Sequence, residues 1–231
     1  MSRLPAVLLA PIVLVQAHLL RRRTPTLPDP RGARHGVVPG DGPALRLLVV
    51  GDSTAIGTGV DDMADALPAA LARRLAADGR AVEWRALGRN GATAADVLRE
   101  QLAHPVSADV AVLLVGWNDA MALRSPRAFE HDLSAILDRI EAAMEAVVAP
   151  PRFDLFPVLP RPLRPALGSA AAGLGRRTEA VASADGATVV AGVRGDSVGE
   201  DLFHPDATGY ADLAGRIADA LGATPRSRPV D

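Results

Sequence analysis

From Ala44 onward the sequence alternates short apolar runs with helix-patterned stretches, and this alternation restricts the fold more than any other feature. Residues 45–50 (LRLLVV), 82–87 (VEWRAL), 110–115 (VAVLLV), 153–159 and 187–191 (ATVVA) read as strands. The third run is apolar throughout, as expected of a strand covered on both faces. The fourth is broken by Pro157, which weakens it as a strand. Residues 64–77, 93–103, 125–147, 168–184 and 206–221 read as helices. Thr93 is placed to cap the second of these, and Ser125-Pro126 is a helix-start signal. Five strands separated by helices predict an α/β domain over residues 44–223, a three-layer α/β/α arrangement around a five-stranded parallel sheet. In such sheets the ligand site lies outside the carboxyl ends of the strands.

The flanks differ from this core. Residues 4–20 are apolar except for Gln16 and His18, and Arg21, Arg22 and Arg23 follow at once. The run is at the short limit for a membrane span, about 17–25 residues. The expectation for residues 1–23 is a membrane-associating segment whose helix lies in or shallowly enters a lipid face. A true anchor, an atypical signal peptide and an apolar arm packed on the protein's own domain are the competing readings. The arginines favour the cytoplasmic face of a membrane, or the cytoplasm, with export as the alternative. Residues 24–43 carry five prolines and four glycines with no period and read as a linker, with His35 solvated. Residues 224–231 read as a polar tail.

Composition removes several function classes. The chain has no cysteine, which excludes thiol nucleophiles, thiolate metal sites and disulfides. It has no lysine either, which excludes a P-loop lysine and Schiff-base chemistry. With 25 basic and 27 acidic residues, the broad basic footprint of a nucleic-acid binder is missing. Gly57 and Gly59 do not extend into a dinucleotide-binding Gly-x-Gly-x-x-Gly. Oligomeric state leaves no signal in the sequence.

The residues just after the predicted strands carry the chemistry. Gly51-Asp52-Ser53-Thr54 follows the first and exposes a serine hydroxyl, although the same residues suit a plain turn. Gly88-Arg89-Asn90-Gly91-Ala92-Thr93 follows the second, just before a helix whose unpaired N–H groups favour negative charge. Gly116-Trp117-Asn118-Asp119 follows the third; the Asn118 amide is a neutral donor suited to an oxyanion hole, or to its own turn. Trp117 reads first as core packing. Asp201-Leu202-Phe203-His204-Pro205 precedes the last helix and offers an imidazole with a nearby acid to fix its tautomer. His104 and His131 read as helix-end and helix-surface residues. Each signal has a bland structural reading alone; together they converge on one end of one sheet.

These four blocks resemble the SGNH (GDSL-type) hydrolase family over residues 45–221, with Asp201-x-x-His204-Pro205 and the following Gly209-Tyr210 as the most specific part. Thr54 stands where the motif's leucine would be. The resemblance implies a flavodoxin-like SGNH hydrolase fold and acyl-ester hydrolysis with Ser53 as nucleophile, His204 as base and Asp201 as its partner. It implies an oxyanion hole from the Ser53 and Gly91 N–H groups and the Asn118 amide, with Gly88 as the alternative second-block glycine. It calls for no metal or organic cofactor. A carboxylesterase or lysophospholipase-like activity on acyl esters or lipids is the expected reaction. Acyl transfer, carbohydrate O-deacetylation and a membrane-associated binding domain with an idle serine are the alternatives. With only seven aromatic residues, stacking platforms for sugars look scarce. The loop at 159–164 also resembles one found in some small family members, without an assigned role.

Overall fold

The computed structural model describes residues 11–13, 15, 16, 19, 20, 22, 27–156, 158–193 and 197–222. The predicted tail at 224–231 and the first part of the apolar run lie outside them. Strands β1 (His35–Val38), β2 (Gly42–Gly51), β3 (Arg80–Gly88), β4 (Val106–Leu114), β5 (Ile140–Val148) and β6 (Thr188–Val190) form one sheet in the order β1-β3-β2-β4-β5-β6. β3, β2, β4, β5 and β6 are mutually parallel, and β1 adds antiparallel to the β3 edge. The parallel part has the strand order of a flavodoxin-like sheet, whose ligand crevice opens where the order reverses, between β2 and β4.

Among the described residues the layers are built by α1 (Leu67–Leu75), α2 (Ala94–Asp96, continued as a π-turn over Val97–Gln101), α3 (Trp117–Met121), α4 (Pro126–Leu137), α5 (Leu163–Asp185) and α6 (Ala207–Gly222). Side chains alternate across the sheet. Leu47, Val49, Val110, Val112 and Leu114 face the layer of α1 and α6, while Leu48, Val50, Ala111 and Leu113 face that of α4 and α5. Both faces are therefore apolar, and each fully buried Val or Leu contributes about 1.5–3 kcal/mol.

Two predictions are corrected. Residues 35–38, read as linker, are a strand: His35 pairs with Arg85 and Val38 with Val82. The segment is short, half exposed and flanked by glycine and proline, so it carries no period to detect; it blunts an otherwise open sheet edge. The fourth parallel strand is residues 140–148, not 153–159. The sequence IEAAMEAVV is rich in helix formers and extends the α4 pattern, but α4 stops at Leu137. The edge of β4 supplies the backbone partners, from Val106↔Ile140 to Leu114↔Val148, and this tertiary pairing overrides propensity. Residues 153–155 form one 3₁₀ turn instead.

The described residues of the N-terminal segment, 11–13, 15, 16, 19, 20 and 22, are helical. Val13 and Leu20 pack against the core on the α4–α5 side. Gln16 donates to the Arg161 carbonyl at 2.8 Å and accepts the Leu163 N–H at 3.0 Å. Among the described residues no helix is long and apolar enough to cross a membrane.

Candidate active site

β2, β3 and β4 end level with one another: Gly51 pairs with both Gly88 and Leu114. The segments that follow them therefore leave the sheet side by side. After β2, the Asp52 N–H donates to the Leu114 carbonyl at 3.1 Å, and the Asp52 carboxylate accepts the Thr54 N–H at 2.9 Å. The Ser53 carbonyl accepts the Thr58 N–H at 3.0 Å, closing a tight turn with Ser53 at its start.

The loop before α6 closes on itself as well. The Gly199 N–H donates to the His204 carbonyl at 2.8 Å, and the Leu202 N–H donates to the Gly199 carbonyl at 3.0 Å. Within this loop one Asp201 oxygen accepts the backbone N–H groups of Phe203 and His204, each at 3.0 Å. The other lies 2.5 Å from His204 Nδ1. The remaining ring nitrogen, Nε2, lies 2.8 Å from Ser53 Oγ. A hydroxyl, an imidazole and a buried carboxylate thus stand in one hydrogen-bonded series across 151 residues of sequence separation.

Gly59 makes that meeting possible. It has a φ of +110°, and a Cβ there would sit 2.4 Å from the Pro205 carbonyl oxygen and 3.0 Å from His204 Cβ. The serine loop and the histidine loop touch through a backbone that leaves no room for a side chain.

The second and third blocks are stitched to each other. The Asn118 amide donates to the Ala92 carbonyl at 2.9 Å, which uses one of its two N–H donors. Gly91 sits at φ +78° in the turn before α2, exposed, with open space where a Cβ would point. Gly88 is different: it ends β3, and a Cβ there would press on Ile56 and the Asp52 carbonyl. Packing explains Gly88, whereas Gly91 belongs to the open turn beside Asn118. His104 and His131 are exposed and distant in role from this cluster. Among the described residues no group of three His, Asp or Glu side chains is placed to hold a metal ion.

Charge is tuned within the cluster. Burial alone would raise the Asp201 carboxyl, but hydrogen bonds from the His204 ring and from the His204 and Phe203 N–H groups hold it below the ordinary carboxylate range. Asp52 has only the Thr54 contact and the His204 charge against full burial, and is pushed up to about 6. Asp119 is raised by burial, which the Ala94 N–H and Arg124 only partly offset.

Three features escaped the sequence reading. One is the Asp119–Arg124–Asp132 chain, at 3.2 and 2.8 Å, whose only sequence sign is an acid directly after Asn118. Another is Gly59, dismissed with the failed nucleotide motif. The last is an aromatic cluster: Trp117 lies 4.7, 5.2 and 5.7 Å from the ring centres of Phe153, Phe156 and Phe203. Four of the chain's seven aromatics gather beside Asn118 and His204, a concentration that composition could not reveal.

A hydroxyl, imidazole and carboxylate in series at the carboxyl edge of a doubly wound sheet is an arrangement that serine hydrolases use on several folds. The chain belongs to the GDSL-like lipase/acylhydrolase family, whose model matches residues 49–211, and is by that membership an ester hydrolase. No curated protein sequence matches it significantly. Its fold is similar to that of a carbohydrate acetylesterase from Sinorhizobium meliloti, with 21% identity, TM-score 0.57, and 78% of this chain and 99% of that one covered. An acetylxylan esterase from Geobacillus stearothermophilus gives 17% identity and TM-score 0.57 over 81% and 99% of the two chains. A phospholipase A1 from Streptomyces albidoflavus gives 18% and 0.57 over 78% and 98%. At these identities the likeness is one of fold.

Proposed function

We propose that the protein hydrolyses acyl esters with Ser53 as nucleophile, His204 as general base and acid, and Asp201 as the group that orients His204. The single observation behind this reading is the 2.8 Å contact between Ser53 Oγ and His204 Nε2, with Asp201 on the opposite ring nitrogen. Ser53 Oγ adds to the ester carbonyl as its proton passes to Nε2. The tetrahedral adduct collapses, the ester C–O bond breaks, and the alcohol leaves with that proton. Water then repeats the sequence on the acyl-enzyme, releasing the acid and restoring Ser53. Asp201 stabilises the imidazolium formed in each half-reaction. The Ser53 and Gly91 N–H groups and the second Asn118 N–H are assigned to the developing oxyanion, where one donor is typically worth about 3–4 kcal/mol.

The acyl group is assigned to the Trp117–Phe203 wall, because these residues directly precede Asn118 and His204 and their rings are half buried. An apolar wall of this kind suits an acyl chain, as in a carboxylesterase or lysophospholipase. The same half-exposed rings can stack on a sugar, which supports O-deacetylation as the second reading. A fluorophosphonate probe and an ester panel test both. Labelling at Ser53, with turnover rising from acetyl to longer p-nitrophenyl esters and to lysophosphatidylcholine, is the expected result. Preference for acetylated xylo-oligosaccharides selects the second reading. Folded protein that neither labels nor turns over any ester leaves a binding domain with an idle serine.

A further inference from the structure

We propose that the rim of the candidate site is a docking surface for an anionic lipid bilayer, with the N-terminal helix as its main contact. The proposal rests on the ester-hydrolase reading only for the role it gives the site; the surface itself is argued from other residues. The described residues of the helix form two stripes, of which only the outer is wholly apolar. Val13, Gln16 and Leu20 turn inward, at i, i+3 and i+7, to the core and to the 161–163 loop. Ile12, Val15 and Leu19, with the same spacing, face outward and are 48%, 58% and 43% exposed. A helix that needed only to pack on its own domain would carry polar residues on that second stripe.

Three further exposed large apolar side chains lie on loops at the carboxyl end of the sheet. Leu123 follows β4, Val158 follows β5 and sits just before the loop that seats the helix, and Leu202 lies two residues from His204. Each lies on a segment leaving a carboxyl strand end, the side on which Ser53 and His204 meet. Among the described residues only Val37, on β1, is a large exposed apolar residue elsewhere.

Charge selects the occupant. Residues 1–28 and 155–168 contain Arg3, Arg21, Arg22, Arg23, Arg161 and Arg164 and no acid, in a chain whose net charge is −2. Arg22 and Arg161 are exposed. The acids that adjoin these two stretches in sequence, Asp29 and Asp154, are each paired with an arginine of their own, Arg34 and Arg152, at 2.6 Å. A second copy of this chain docked on the same face would bring the exposed Arg22 and Arg161 of the two copies onto one interface. Anionic headgroups complement them, while the apolar stripe enters the acyl boundary.

Flotation of the full-length protein with phosphatidylcholine vesicles, with and without phosphatidylglycerol, tests this. The wild type is expected to float with the phosphatidylglycerol vesicles, and less at high salt. Ile12→Ser/Val15→Ser/Leu19→Ser should float at least about tenfold less. Its circular dichroism and its turnover of a short soluble p-nitrophenyl ester should be unchanged. A wild type that floats with neither vesicle overturns the proposal, as does a triple variant that floats equally. Light scattering that shows a wild-type dimer dissociated by the triple substitution, without flotation, assigns the face to self-association and also overturns it. Absent soluble-ester turnover in both proteins would instead reject the hydrolase reading, which flotation does not measure.

Discussion

The buried Asp119 carboxylate accepts the Ala94 N–H through both oxygens, at 3.1 and 3.3 Å, and so ties the start of α2 to α3. Gly91 precedes one of these elements and Asn118 lies on the other, so Asp119 sets the spacing between two assigned oxyanion donors. Asp119→Ala would leave the Ala94 N–H unpaired and strand Arg124 with Asp132 alone. Leaving that buried N–H unsatisfied costs about 1–3 kcal/mol, while Arg124 keeps Asp132 at 2.8 Å. Asp119→Asn keeps an acceptor for Ala94 and should cost less. Urea unfolding should rank the two in that order, and ester turnover should show kcat falling more than KM rises in both.

Ser53→Ala removes one oxygen from a turn held by backbone bonds through the Ser53 carbonyl. Its unfolding midpoint should stay close to that of the wild type while ester turnover and fluorophosphonate labelling are lost. Retained turnover would reject Ser53 as nucleophile.

How much of this was legible in the sequence follows from where the information is local. Ser53 and Asn118 stand just after strands and His204 just before the last helix, within blocks of four or five residues whose types name their chemistry, and Asp201 is three residues from His204. The layer order was legible because β2 and β4 carry short apolar bursts and β3 alternates buried Val82, Trp84 and Ala86 with exposed Glu83 and Arg85. β5 was not, because Ala, Glu and Met favour a helix locally and only the unpaired edge of β4 makes 140–148 a strand. Likewise Trp117, Phe153, Phe156 and Phe203 are scattered over 87 positions, and their meeting depends on the loop after β5 folding back over α3.

Asn118→Ala should lower kcat by about 10²–10³ with little change in KM, since the amide is assigned to charge that develops only in the transition state. The same substitution removes the 2.9 Å bond to the Ala92 carbonyl, worth about 1 kcal/mol of stability. An unchanged kcat beside a lowered unfolding midpoint would leave Asn118 with the second role alone.

Asp52 gives the protein a pH signature in stability. Its folded value of about 6 lies above the ordinary 3.8 because burial disfavours the anion. Between these values the folded state binds more protons than the unfolded chain, so stability falls as pH rises through the window. The loss reaches on the order of 3 kcal/mol and levels off above about pH 6. Asp52→Asn keeps an oxygen for the Thr54 N–H and cannot ionise. Compared with the wild type in urea unfolding, it should gain stability at pH 8 and gain little at pH 4. An equal difference at both values would mean that Asp52 does not titrate in this range.

Gly59 and Gly79 offer a paired test of whether the loop contact aligns the reacting groups. Both have positive φ, +110° and +90°, so alanine strains the backbone at either position, by about 1–3 kcal/mol. Only at Gly59 does the added methyl also collide with a neighbour, the Pro205 carbonyl one residue beyond His204; at Gly79 it meets nothing within 4 Å. Relief at position 59 requires the serine loop and the histidine loop to separate, and a few tenths of an ångström lengthen the 2.8 Å bond between Ser53 and His204. Gly79→Ala should therefore lower the unfolding midpoint and leave kcat intact. Gly59→Ala should lower both, and because Phe203 of the assigned acyl wall belongs to the same histidine loop, the comparison is read in kcat and not in KM. Equal kcat in the two variants would show that the loops carry the triad geometry without Gly59.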